Sequence, residues 1–503
     1  RIAHWSAVGY RNLESRDPLE RDDIFRIASM TKPVTSVAVM MLIEEGHLSL
    51  EDDVATHLPE LGGLRVYVEG ELVPTERPVT VADLLGHTSG MTYGFFGDTR
   101  VDSLYVERDL FSGDLANLVE GTGELPLLGQ PGTIWNYSVA TDVLGRLVEV
   151  ASGMELDAFF RTRIFEPLGM DDTGFSVPPA DTSDFVTLYT RGSGSLEVLD
   201  SASDGDYNAP PALVSGGGGL VSTASDYLRF AQMLLNGGEL DGVRLLRPET
   251  VELMRTNRLP DELIPIRIGG LWAAPGYGFG LGFSVLVDAE ATPEPDNDGV
   301  FRWWGYGSTY FWIDPAEELI GIVLTQLSPP VLPQLERRFQ TLVYEALRAP
   351  AEGDHLYRVE MLRAAPGAFE ELMQVIEESR SLHAEAGDPA PFWMRHSQGD
   401  QWDFMLLHPV GTRADYHSEE RSARRAQAWD WPAGLRLRAR REAATAYRED
   451  WFARGVPPEE LRRRFDGMDF YHIEMFVGLP GERDALVEQR RMENRYYAHL
   501  DRQ

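Results

Sequence analysis

Cysteine is absent from the 503 residues, which removes disulfide frameworks, thiolate nucleophiles and cysteine-based metal sites together. Lysine is almost absent: Lys32 is the one lysine, and every other basic side chain is arginine. No apolar run reaches membrane-spanning length, because Glu or Gly interrupts the longest of them. Positive charge is scarce, with 46 Lys and Arg against 80 Asp and Glu, for a net charge of −34. Such a surface argues against nucleic acid or anionic membrane as partners. No Gly-x-Ser-x-Gly occurs, so an α/β-hydrolase elbow has no nucleophile to stand on. His-Glu-x-x-His and other metal spacings are missing, and neither a metal nor a cofactor is expected. The first residue is not Met; a cytoplasmic place is the expectation, with export left open.

What the chain does contain is organised around Ser29-Met30-Thr31-Lys32. Behind it Val34, Val37, Ala38, Met41 and Leu42 recur at helical spacing, which predicts an amphipathic helix with one buried face. Pro33 suits only a first turn, and Gly46 is a natural stop. Ser29 then stands at a helix N-terminus, where unpaired N–H groups favour developing negative charge. Lys32 lies three residues on, on the same face, and can bring its amine to the Ser29 hydroxyl. An amine can give up its proton when buried and act as a base; a guanidinium cannot. That is a chemical reason for one lysine to persist among arginines, and it marks Ser29 as a nucleophile with Lys32 as its activator.

Residues 1–28 read as a short β-hairpin, strand-like from the start, and 47–80 as loop. Val81–Gly86 is a short helix entering His87-Thr88-Ser89-Gly90, where His87 reads as a turn-stabilising hydrogen-bond partner. Residues 94–132 read as irregular cover for a substrate cleft. Tyr137 precedes a helical pattern on Val139, Val143, Leu147 and Val150, from where its hydroxyl could meet Ser29 and Lys32. The run Gly216–Gly219 lacks a following Gly-Lys-Ser/Thr, so it predicts close backbone approach beside a cleft rather than a phosphate cradle. Strands are expected at 277–287 and 309–327. Between them, glycines among the bulky residues of Trp303-Trp304-Gly305-Tyr306-Gly307 predict a strand whose backbone faces a ligand.

A composition break after Pro350 divides the chain into domains 1–350 and 351–503, the second poorer in glycine and richer in arginine. The second reads as strand (355–363), helix (367–384), strand (390–397), strand (402–408), helical region (437–464), strand (469–477) and helix (481–500). That order suggests a ferredoxin-like α+β unit. Tyr357, Glu360, Met361, Pro366, Gly367 and Leu372 recur at the same spacing as Tyr471, Glu474, Met475, Pro480, Gly481 and Leu486. In loose outline this half is similar to dimeric α/β-barrel domains, which implies a homodimer through it; a second binding site around Glu360 and Glu474 is the alternative.

Taken together, Ile24–Pro33, Leu84–Gly94, Tyr137–Gly145, Gly216–Asp226 and Trp303–Pro315 resemble the serine β-lactamase and penicillin-binding-protein superfamily. Within it the chain is most similar to the class C-like family VIII carboxylesterases, over about residues 1–347. The resemblance implies an α+β fold, an antiparallel sheet with a helical subdomain. It aligns Ser29 with the acylated serine, Lys32 with the lysine of Ser-x-x-Lys, and Tyr137 with the tyrosine of Tyr-x-Asn. Trp303-Trp304-Gly305 falls where lactamases carry Lys-Thr-Gly and esterases often Trp-x-Gly, which makes these three substrate-binding residues. The implied oxyanion hole is the backbone N–H of Ser29 with that of Tyr306. Val139 replaces an amide-binding Asn, and Trp303 replaces a carboxylate-binding Lys. Both losses point to small carboxylic esters as substrates. A β-lactam or D-amino-acid peptide hydrolase stays open because Arg302 could supply a carboxylate anchor. An acyltransferase would use the same residues, and a non-catalytic binding protein is the reading from another class. Which of Lys32 and Tyr137 is the base is open at this point.

Overall fold

The computed structural model describes residues 2–465 apart from 194, 270–271, 293, 295, 330–333, 348–354, 396–401, 413–415, 417 and 456. The chain separates into two compact units, Arg1–Thr341 and Leu342–Gln503. The division lies ahead of the composition break at 350, inside a helix whose Gln340 donates a hydrogen bond to Asp296 of the first unit.

In the first unit a hairpin of β1 (Tyr10–Asn12) and β2 (Asp17–Pro18) opens the chain. Residues 2–8 are irregular rather than strand, with mostly exposed side chains that have no partner face to alternate against. Next, β3 (Phe25–Arg26) feeds a 3₁₀ turn, Ala28–Met30, that runs into α1 (Thr31–Glu44). Gln326 holds the approach to that turn, accepting from the Arg26 N–H (3.2 Å) and donating to the Arg26 carbonyl (3.0 Å). Pro33 lies in the first turn of α1 and Gly46, at φ +79, follows its end. The expected single buried face is corrected: every residue from Thr31 to Leu42 is buried, so α1 is a central helix. Ser36 and Thr35 hid this, being small polar residues that are nevertheless buried; Thr35 Oγ1 donates to the Gly216 carbonyl at 2.6 Å.

A second hairpin, β4 (Arg65–Val68) with β5 (Glu71–Pro74), lies within the stretch read as loop, followed by α2 (Val81–Leu85). The stretch 94–132 is not irregular. It carries α3 (Arg100–Arg108) and α4 (Leu115–Gly123), each started by a reciprocal capping box, Thr99 with Asp102 and Asp114 with Asn117. Both boxes are visible in the sequence; the scattered glycines outweighed them. Then α5 (Ala140–Ser152) packs against α1, and β6 (Val221–Ser222), paired with β3, leads into α6 (Ala224–Leu235).

A five-stranded antiparallel meander completes the unit: β7 (Tyr277–Phe279), β8 (Ser284–Leu286), β9 (Phe301–Gly305), β10 (Thr309–Asp314) and β11 (Leu319–Val323). Mixed helices and an antiparallel sheet make this a β-lactamase/transpeptidase-like fold. Trp312 of β10 is wholly buried and lies opposite Gly321 of β11, whose missing side chain leaves room for the indole. After α7 (Gln334–Leu347) the second unit begins its own sheet.

That sheet has the order β13-β14-β12-β15, all antiparallel, from β12 (His355–Ala364), β13 (Phe392–Arg395), β14 (Phe404–Gly411) and β15 (Thr445–Gly455). Its helices include α8 (Phe369–Glu385), α9 (Glu419–Trp429) and α10 (Pro432–Ala444). The helical region read at 437–464 is corrected: α10 ends at Ala444, β15 follows, and only then comes α11 (Pro458–Phe465). Charged residues masked the strand, since Arg448 and Asp450 pair with each other (2.7 Å) and Arg358 of β12 reaches Asp450 (2.5 Å). The strand at 469–477, the helix at 481–500 and the second copy of the repeat lie outside the described residues.

Gly321→Ala should force the Trp312 ring out of place and cost about 1–3 kcal/mol. A thermal melt of the full chain should show this as a lowered first transition; an unchanged melt would refute this account of the sheet.

Candidate active site

Ser29 sits in the 3₁₀ turn, part-exposed, directly after Ala28 at φ +44. A non-glycine residue in that conformation is strained, and the strain lies beside the serine. Thr31 secures the turn: its hydroxyl donates to the Ala28 carbonyl at 2.7 Å and accepts from Leu220 N–H at 3.1 Å.

Lys32 is 1% exposed. A buried amine needs acceptors to offset its lost hydration, and it has three. Its Nζ donates to Ser29 Oγ at 3.3 Å, Tyr93 hydroxyl at 2.8 Å and the Gly217 carbonyl at 2.5 Å. Tyr93 in turn donates to Asp142 Oδ2 (3.4 Å), and burial followed by the Asp142 charge pushes its pKa well above 10. Asp142 is fully buried in the first turn of α5 and accepts from Ser215 Oγ (2.5 Å) and Gly217 N–H (3.0 Å). A Cβ on Gly217 would run into Asp142 Oδ2 and lie 2.9 Å from the Tyr93 hydroxyl. The glycine run thus does bring backbone in close, and what it approaches is the lysine and its aspartate.

Tyr137 is brought to the same place by a different contact. Its ring lies beneath Lys32 Nζ, 4.7 Å from the centroid, and packs on Tyr93 (5.3 Å), His87 (5.0 Å) and Trp303 (5.3 Å). Its hydroxyl is buried and has no hydrogen-bond partner among the described residues, so it bonds neither Ser29 nor Lys32. His87 occupies a left-handed turn at φ +54 and shares a hydrogen bond through Nδ1 with Ser138 Oγ (3.3 Å). Burial, and secondarily Lys32, pushes its pKa well below 6.5. It is a neutral ring wedged behind Tyr137.

The segment Trp303–Tyr306 comes in along β9. Trp303 is buried against Tyr137, while Trp304 is part-exposed and Tyr306 is 47% exposed. At Gly305 the Cβ position is taken by the Ile27 carbonyl and Thr309 Oγ1. The glycine expected to face a ligand therefore admits the serine turn instead, setting the end of β9 beside it. Arg302, expected as an alternative carboxylate anchor, is engaged elsewhere. It is buried over the Tyr277 ring (3.7 Å), bonds the Tyr310 hydroxyl (3.0 Å) and pairs with Asp296 (3.9 Å). Val139 is buried at the start of α5. Phe95, Phe96 and Phe111 surround Tyr93 at 5.2, 5.9 and 6.1 Å, and Phe95 and Phe111 are exposed. The rim is aromatic.

Tyr93 and Asp142 are the partners that sequence reasoning did not single out. Their only signal is position inside the motif-bearing stretches. Among the described residues no group of three acidic or histidine side chains could hold a metal.

The chain belongs to the Beta-lactamase family, whose model matches residues 2–345. It is 39% identical to Protein Rv1367c of Mycobacterium tuberculosis over 330 residues, covering 64% of this chain and 82% of that one. It is 32% identical to esterase EstB of Burkholderia gladioli over 347 residues, with the same 64% and 82% coverage. Among solved structures it is similar to EstCE1, described as a hydrolase with promiscuous acyltransferase activity. That likeness has TM-score 0.55 and 28% identity, covering 63% of this chain and 84% of the other. The chain is thus a member of the serine β-lactamase and penicillin-binding-protein superfamily on its esterase branch.

Gly217→Ala should push Asp142 and Tyr93 apart from Lys32, lowering activity more than stability; an active variant with an unchanged melt would count against the lysine network. A separate expectation concerns pH. His87 is neutral when folded and free to protonate when unfolded, so stability should fall as pH drops below 6.5, by up to about 1.4 kcal/mol per pH unit. Thermal melts between pH 7.5 and 5 should show a shallower acid-side decline for His87→Gln than for wild type.

Proposed function

We propose that the chain hydrolyses small carboxylic esters through an acyl-enzyme on Ser29. The observation that carries this reading is the hydrogen-bond bookkeeping at Lys32. The Gly217 carbonyl can only accept, and the Tyr93 oxygen accepts because its own proton points to Asp142. Two N–H groups of Lys32 satisfy these two acceptors, which leaves the third position of Nζ facing Ser29 Oγ, where the amine, once it has shed a proton, takes the hydroxyl proton. Lys32 is then the general base as Ser29 attacks the ester carbonyl. Two backbone N–H groups, from Ser29 and Tyr306, stabilise the oxyanion. The unpaired Tyr137 hydroxyl relays the proton taken by Lys32 to the leaving alcohol, giving up its own and regaining the one that Lys32 holds, so that both groups are restored for the attack of water. Water then attacks the acyl-enzyme.

The character of the cleft favours esters. Trp303 stands where a cation would attract a lactam or peptide carboxylate, and Arg302 is spent on Tyr310 and Asp296. The aromatic rim of Phe95, Phe111 and Tyr306 suits an apolar acyl or alcohol group. Transfer of the acyl group to an alcohol is a second reading, supported by the activity named for EstCE1. For the second unit we read a ferredoxin-like fold; its strand order β13-β14-β12-β15 supports that.

The test is intact mass after a fluorophosphonate, followed by rates on p-nitrophenyl acetate and butyrate against nitrocefin and a D-alanyl anilide. Wild type should take one adduct and cleave the esters. Ser29→Ala and Lys32→Met should lose about 10³-fold or more in kcat; Tyr137→Phe should lose about 10²–10⁴-fold. Cleavage of nitrocefin by a folded protein inert toward esters would sink the proposal, and added methanol separates hydrolysis from transfer.

A further inference from the structure

The second unit has an open cavity of about 730 Å³, of the size that takes a small organic ligand. Its lining belongs wholly to that unit. Six arginines (Arg358, Arg421, Arg425, Arg438, Arg441, Arg448) meet three acids there, Asp388, Asp430 and Glu442. Two further carboxylates pair with these arginines from outside the lining. Glu360 is wholly buried and is shared by Arg441 (2.5 Å), Arg448 (2.8 Å) and Arg358 (3.7 Å). Asp450 takes Arg358 at 2.5 Å and Arg448 at 2.7 Å. Asp388 is likewise shared, between Arg421 (2.7 Å) and Arg425 (2.6 Å).

Sharing has two consequences. First, among the described residues guanidinium groups outnumber carboxylates by one, in a chain whose net charge is −34. The two histidines of the wall do not change that sum, because burial holds both His383 and His408 near pKa 4 and therefore neutral at pH 7. Second, guanidinium donors are left over. Among the described residues the Nε–H groups of Arg358 and Arg441 and the Nη2 of Arg441 are buried without a hydrogen-bond partner, three donor groups against one acceptor in the same state, Glu360 Oε1. Each such donor costs free energy until something accepts from it. The remaining wall is apolar and flat-sided: Trp429, Tyr447, Pro389 and Pro409. Tyr416 has one face covered by Arg425, 4.0 Å from its centroid.

We infer that this cavity is a binding site for an organic monocarboxylate with an aromatic or other flat apolar body. One carboxylate brings the single negative charge that the wall lacks. Its two oxygens can accept from Arg358 and Arg441, in the planar geometry that guanidinium groups favour. The body lies along Trp429 and the prolines. A dianion such as phosphate would overshoot the charge and leave the apolar wall uncovered.

The test is calorimetric titration of the full chain with 2-naphthoate, benzoate and inorganic phosphate, in wild type and variants. Saturable binding of one 2-naphthoate per chain is expected, tighter than benzoate, with phosphate weakest. Arg441→Gln should weaken it by about tenfold or more, and Arg441→Lys should restore only part of the loss. Should Arg441→Gln melt early, Arg425→Gln carries the test, since Asp388 keeps Arg421 as its partner. No saturable binding at millimolar concentration would overturn the inference. So would binding that both Gln variants leave unchanged, which would place the ligand elsewhere, or phosphate binding more tightly than 2-naphthoate.

Discussion

The burial of one amine is the constraint on which the first unit depends. Lys32 lies in a helix closed on every side, and a primary amine cannot stay there without acceptors for its protons. Each acceptor comes from a different part of the chain: the 3₁₀ turn before α1, the residue Tyr93 after α2, and the glycine run before β6. Meeting that requirement draws three distant segments to one point. The same point is where Ser29 meets the aromatic cleft. The fold and the candidate site are therefore built from the same bonds.

Around that point the structure uses missing side chains as much as present ones. Gly217 lets a carbonyl and an N–H serve Lys32 and Asp142 at once. Gly305 lets β9 close on the carbonyl of Ile27, so the strand ends beside the serine turn. Gly321 gives Trp312 its place and keeps the sheet supporting β9 packed. None of these glycines contributes a side chain, yet each sets how closely its neighbours approach one another.

The second unit solves an analogous problem with the opposite charge. Arginines crowd on Glu360 and Asp388, and each carboxylate is shared by two or three guanidinium groups. A buried carboxylate so surrounded stays ionised far below its usual range, as Glu360 does through His408 and the arginines despite its burial. The imbalance faces a cavity, which gives the unit a chemical character of its own beyond that of a sheet covered by helices.

What the sequence by itself determined lies where local chemistry is decisive. The approach of Lys32 to Ser29 was legible because the two stand three residues apart at one helix start, whereas Tyr137, read as bringing its hydroxyl to them, sets its ring against Lys32 instead. The solitary lysine stood out because arginine cannot do its work. The family's order of motifs was readable for the same reason, and so was the sheet of the first unit. Tertiary structure alone decided the rest. Tyr93 and Asp142 carry no local mark, because their role exists only where α1, α5 and the glycine run converge. Arg302 looked available because its position beside Trp303 could not reveal that it points into a buried cluster with Tyr310 and Asp296. Helix α1 read as one-sided because its small polar residues hide a partner on every face. Strand β15 read as helix because its charges are neutralised across strands, by residues far away in sequence. Propensity is a property of neighbours along the chain; burial and pairing belong to neighbours in space.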